Sequence, residues 1–217
     1  MPTLRTRWTL DIADVIPGAP PDTVAAIGSD LLRRLAEPHR AYHTARHLEE
    51  LLRALEDIEH SREITARQAT LARVAGWFHD AVYDTTAAGG TNEADSAALA
   101  VRDLSALGLA RRDVEAVRDI VLGSELHELP SDPLSAAFHD ADLWILSAPA
   151  QRYAEYTAQV RREYAAVPTD AFRTGRAAIL RPLLARESIF ATGVARSRWE
   201  DRARHNLTRE LDELTAR

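Results

Sequence analysis

TARQATLARVAGWFHDAV occupies residues 65–82 and runs on through Tyr83 and Asp84. Thr65 suits a helix N-cap, and the residues after it read as a buried helix over 65–82. Near its end stand His79 and Asp80, two polar, metal-competent side chains side by side. A carboxylate is rarely left in apolar surroundings without a partner. A divalent metal is the simplest partner for this pair.

Two flanking segments complete the pattern. Upstream, YHTARH (42–47) supplies His43 and His47, four residues apart and on one helix face. Downstream, HDADL (139–143) supplies His139, Asp140 and Asp142. Consecutive His79 and Asp80 point about 100° apart on a helix. A short Asp and a long His can still reach one ion. The order His, His-Asp, Asp points to a metal-dependent hydrolase. Imidazole with carboxylate suits one divalent ion among Mn, Fe, Co, Ni, Zn and Mg. Spacing alone leaves His43 against His47, and Asp140 against Asp142, open.

Helical periodicity dominates elsewhere. Helices are expected over 24–35, 47–55, 93–107, 111–122, 134–146, 150–165, 169–185 and 198–214. Asn92 is expected to cap the helix that Gly108 closes, after a flexible turn at 87–91. Residues 1–20 are rich in Pro and Gly and are expected to form an irregular N-terminal arm. Residues 21–217 show no composition break, so a single all-α domain is expected there.

Composition removes several chemistries. Cys is absent, which excludes disulfides, thiolate nucleophiles and thiolate-held zinc. All 27 basic residues are Arg. There is thus no Schiff-base lysine, Walker lysine or lysine base. Any phosphate must be met by Arg or protonated His. The net charge of −6 argues against a nucleic-acid partner. No apolar run spans a membrane and no signal peptide is read, so a cytoplasmic protein is expected. Amphipathic helices leave a homo-oligomer open.

Taken together, the segments resemble the HD superfamily of metal-dependent phosphohydrolases, especially small bacterial predicted HD phosphohydrolases. The resemblance rests on YHTARH (42–47), WFHDAVYD (77–84), NEADSA (92–97), Ser124 to His127 and DADLWIL (140–146). RREY (161–164), GR (175–176) and EDRARHNL (200–207) extend it, so that it covers about residues 40–215. HD alone is a weak motif, whereas the ordered set is specific.

The resemblance implies an HD-type helical bundle that hydrolyses a small phosphoester, such as a nucleotide, with metal-activated water. It places the metal ligands at His47, His79, Asp80 and Asp142. His43 then lies on the substrate side, with Arg46, Tyr83, Arg161, Arg176 and Arg204 as further substrate contacts. Asp80, Glu93 and His127 are the catalytic candidates, Glu93 and His127 for proton transfer or phosphate contact. His139 departs from the family pattern and reads as a surface substitution. Two alternatives use the same scaffold: a dinuclear-iron oxygenase, which needs extra His ligands, and a nucleotide-sensing module with a structural metal.

Overall fold

Ten α-helices and one short 3-10 helix make up the regular structure of the described residues, with no strand among them. The computed structural model describes residues 3–87 and 89–216. Met1, Pro2, Ala88 and Arg217 lie outside them, and with them the start of the expected arm and the middle of the 87–91 turn. In chain order the helices are α1 (Leu4–Val15), α2 (Pro21–Arg34), α3 (Ala45–His60), α4 (Ala66–Phe78) and α5 (Thr91–Leu107). They continue with α6 (Arg111–Gly123), α7 (Pro133–Asp142), the 3-10 helix (Leu143–Ser147), α8 (Ala150–Glu163), α9 (Thr169–Ala185) and α10 (Gly193–Thr215). No helix among the described residues is long and apolar enough to cross a membrane.

α4 is the hub. Residues 69–78 are all buried, because α1, α3, α5, α6 and α7 pack around them. Thr65 caps α4 through a reciprocal box with Gln68. α3 is capped by Thr44 and buries Leu48, Leu51, Leu52, Leu55 and Ile58, spaced three and four apart as one helical face requires.

The expected irregular arm is instead α1. Trp8, Ile12 and Val15 are buried on one face. The Trp8 indole donates to the Val24 carbonyl (2.7 Å) and packs edge-on against Trp77 and Phe78. Gly28 opposite leaves the room, since a Cβ there would drive into the indole. Buried Asp11 is matched by Arg73 and the Trp77 indole N–H. The helix is thus fixed by partners far away in sequence, which its weak local amphipathicity concealed.

Other boundaries shift too: α3 runs Ala45–His60 and α10 starts at Gly193, and three further shifts bear on the polar segments. α4 stops at Phe78, four residues before the expected end at Val82. Gly90, in a left-handed conformation (φ 75°), precedes α5, and Asn92 instead ties its side chain to the Asp84 backbone. The expected 134–146 helix tightens into the 3-10 helix after Asp142. Both shifts at 78 and 142 fall at the polar cluster described next.

Candidate metal centre

Three chain segments converge on one point. His47 comes from the first turn of α3, His79 and Asp80 from the end of α4, and Asp142 from the end of α7. His47 Nε2 and His79 Nε2 lie 3.1 Å apart. Asp80 Oδ2 is 2.9 Å from His79 Nε2 and 3.5 Å from His47 Nε2. Asp142 Oδ1 is 3.2 Å from His47 Nε2 and 3.4 Å from His79 Nε2. His47, His79 and Asp80 therefore form a group that could hold a metal ion.

The early end of α4 makes this possible. Arg40, buried beside it, donates to the Asp80 carbonyl (2.7 Å), the Ala81 carbonyl (3.2 Å) and the His43 carbonyl (3.2 Å). A guanidinium thus takes up carbonyls left over at a helix end. His79 and Asp80 are freed from continuing the helix, and both turn inward. The negative ends of the α4 and α7 dipoles also face the cluster, which favours a cation there.

The donor set fits a cation on three counts. His79 Nδ1 is 2.9 Å from the Gly76 carbonyl, an acceptor only, so Nδ1 carries a proton and Nε2 is turned toward the centre. His47 Nδ1 is likewise occupied, by the Tyr42 hydroxyl at 3.0 Å. The two Nε2 atoms are 3.1 Å apart, close enough to share one ion or one proton. Second, Asp80 Oδ2 is buried yet accepts no hydrogen bond, despite the nearby His79 nitrogen. Third, ligands about 2.1 Å from one ion sit roughly 3.0–3.4 Å from each other in octahedral or tetrahedral arrangements. The separations among His47, His79 and Asp80, 2.9 to 3.5 Å, bracket that range, and Asp142 Oδ1 stands 3.2 and 3.4 Å from the two imidazoles.

The electrostatics agree. Burial alone would lower the His79 pKa, but the Asp80 and Asp142 charges outweigh it and hold it well above the ordinary value. Burial would raise Asp142, but the His79 charge and bonds from His47 and His79 hold it well below the carboxylate range. The pocket concentrates negative charge that invites either protons or a metal, so the two compete.

Asp140 and Asp142 face different ways. Asp140 is fully buried and accepts from Ala191 N (2.8 Å), Thr192 N (2.7 Å), Thr192 Oγ1 (2.7 Å) and His139 Nδ1 (2.8 Å). It secures the chain at the start of α10, away from the His47–His79 cluster. His139, expected at the surface, is buried, its second nitrogen meeting the His127 carbonyl at 3.3 Å.

Around the cluster stand His43, Tyr83 and His127. His43 is bonded through Nδ1 to Glu163 (2.7 Å), and the Tyr83 hydroxyl donates to the same carboxylate (3.1 Å). Burial and then the Glu163 charge push the Tyr83 hydroxyl pKa upward, so it stays a donor. His127 follows α6 in a left-handed backbone (φ 45°), with Nδ1 3.8 Å from Asp142 Oδ2. Burial lowers its pKa despite the Asp142 charge. Its loop walls a cavity of about 420 Å³ that also touches Phe138 and His139. Glu93 lies half-buried in the first turn of α5.

The four arginine candidates are less available. Arg176 is bound to Glu210 and the Tyr156 hydroxyl, Arg161 to the Tyr164 and Val167 carbonyls, and Arg204 to Glu200 and the carbonyls of Leu184, Arg186 and Glu187. Arg161 and Arg204 brace helix ends and loops, and Arg176 ties α9 to α8 and α10. Arg46 is half exposed and pairs with Glu50 and Glu155. Two residues beside the centre carried no sequence signal: Glu163 in RREY, where Arg161 drew attention, and Arg40. Arg40, Glu163 and Asp140 act through backbone amides and carbonyls, which leave no spacing to read.

No protein-family model matches the chain, and no curated protein sequence matches it.

Proposed function

We propose that the chain is an HD-type, metal-dependent phosphohydrolase acting on a small phosphoester. The observation that carries the reading is the convergence of His47 Nε2, His79 Nε2, Asp80 Oδ2 and Asp142 Oδ1, with both rings oriented through Nδ1 and Asp80 Oδ2 left without a hydrogen bond. These four side chains would hold one divalent ion, which supplies a lowered water pKa and polarises a phosphoryl oxygen. His and carboxylate ligation leaves coordination positions for both.

The chain's own groups then divide the remaining work. Asp80 and Asp142 offset the ion's charge and fix its place. His127, against Asp142 and the cavity wall, would meet the leaving group. His43 and Tyr83 border the same cluster. Arg46 is the most exposed of the arginine candidates, so with Lys absent it would be the cation for an incoming phosphate. The dinuclear-iron alternative loses support, because both nitrogens of His139 are engaged elsewhere.

The test is inorganic phosphate release from a panel of nucleotides and sugar phosphates, with chelated protein resupplied with each metal in turn. Release that stops with the chelator and returns with a divalent ion is expected. Metal-loaded protein that releases no phosphate, yet consumes oxygen with iron, overturns the proposal.

A further inference from the structure

Glu163, in the last turn of α8, is bound more extensively than a bracing role requires. Its side chain is wholly buried. Oε1 accepts from the amides of Ala41 (2.6 Å), Tyr42 (2.7 Å) and His43 (3.0 Å), which fastens the segment leading into α3. That work occupies one oxygen. Oε2 accepts from His43 Nδ1 (2.7 Å) and the Tyr83 hydroxyl (3.1 Å). The paired donors hold the carboxyl ionised: burial would raise its pKa, but His43 and the amides bring it to about 2.

An ionised carboxylate only accepts, so His43 Nδ1 must carry a proton. The other ring nitrogen, Nε2, has no hydrogen bond among the described residues. The ring is partly open to solvent, with a side-chain exposure of 21%. Its centre lies 6.0 Å from that of the His47 ring and 4.2 Å from that of Tyr83. Buried carboxylate, oriented imidazole and a free outer nitrogen beside a metal centre form a presented hydrogen-bonding group.

We propose that Glu163 is a positioning residue: it fixes the His43 ring through Nδ1–H, so that the ring, protonated on both nitrogens, donates Nε2–H to a phosphoryl oxygen of the ligand held at the centre. This rests on the phosphohydrolase reading. Glu163→Gln separates the two jobs of the carboxylate. The amide oxygen still accepts the three backbone N–H groups, but its NH₂ cannot accept from His43 Nδ1–H.

The probe is inorganic phosphate, added to the zinc-loaded full chain. Long-range ¹H–¹⁵N NMR reads which His43 nitrogen is protonated, and calorimetry reads phosphate affinity. In the phosphate-bound wild type both His43 ring nitrogens are expected to carry protons, with the Nε2 signal moving on phosphate addition. In Glu163→Gln the phosphate-bound ring no longer carries both protons and affinity falls about tenfold, as for the loss of one hydrogen bond to a charged group. His43→Ala, which leaves the three amide bonds of Glu163 in place, loses the same factor. The double variant loses no more than His43→Ala, because Glu163 acts through that ring. Zinc content stays at the wild-type level throughout.

Additive losses, a doubly protonated ring in phosphate-bound Glu163→Gln, or a bare Nε2 in the phosphate-bound wild type would overturn the inference. So would wild-type affinity in His43→Ala, which decides the matter even where Glu163→Gln fails to fold, or a zinc-loaded wild type that binds no phosphate. Phosphate binding without hydrolysis of any ester overturns the functional reading instead and leaves the positioning role of Glu163 intact.

Discussion

Asp140→Ala and Asp142→Ala are expected to fail in opposite ways, although the two residues are neighbours but one. Asp140 is fully buried and accepts four hydrogen bonds, two from the backbone before α10, one from Thr192 Oγ1 and one from His139. Its removal leaves two amide N–H groups and an imidazole N–H facing a hole. The Thr192 hydroxyl can rotate to another acceptor. Each buried donor left without a partner costs about 1–3 kcal/mol. Water entering the hole recovers part of that, so roughly 4 kcal/mol is expected in total. In a chain of this size each kcal/mol moves the melting temperature about 2–4 °C. Asp140→Ala should therefore melt roughly 8–16 °C below the wild type, read by circular dichroism on metal-free protein. Its metal content, measured by mass spectrometry in the cold, should match the wild type. Asp142→Ala should lose its metal instead. An Asp140→Ala protein that melts within about 3 °C of wild type but no longer retains metal would refute the division of labour between the two carboxylates.

Trp8→Ala should cost about 3–5 kcal/mol in denaturant unfolding, the range for truncating a buried aromatic, because the indole fills the α1–α2–α4 junction. A cost below about 1 kcal/mol would mean that α1 is a loose arm after all. The Glu163 carboxyl lies at about 2 in the fold against a usual 4.5. The unfolded chain therefore binds a proton over that interval which the folded chain does not, and stability falls as pH drops from 4.5 toward 2. Denaturant midpoints of metal-free protein across that window should fall less steeply in Glu163→Gln; equal slopes would contradict it. His127→Ala should lower turnover more than metal content, since its nearest centre atom is Asp142 Oδ2 at 3.8 Å; parallel loss of both would make it a ligand.

What the sequence made legible was whatever repeats locally. The Leu48, Leu51, Leu52, Leu55 stripe and the Thr65 cap announce α3 and α4, and Gly108 ends α5 in a left-handed conformation (φ 88°). The cluster of His47, His79 and Asp80 is legible too, since adjacent polar residues in an apolar segment stand out. What stayed hidden depends on long-range partners. The stop of α4 at Phe78 is set by Arg40, which no pattern near residue 78 contains. Residues 1–20 show Pro and Gly at positions 17, 18 and 20, but the burial of Trp8 and Asp11 is settled by Gly28, Arg73 and Trp77. Arginine roles were unreadable for a simpler reason. When every basic residue is Arg, identity carries no information, and only the structure separates Arg176, locked on Glu210, from half-exposed Arg46.

The most direct measurement is metal stoichiometry by calorimetric titration of chelated protein, wild type beside Asp80→Ala. Asp80 contributes the one buried oxygen of the cluster that has no hydrogen bond among the described residues, so its role is separable from internal bracing. One divalent ion per chain in the wild type, with proton release on binding and no binding at the same concentrations in Asp80→Ala, is the predicted result. A wild-type chain that takes up no divalent ion, or an Asp80→Ala chain that binds one as tightly, would contradict the account.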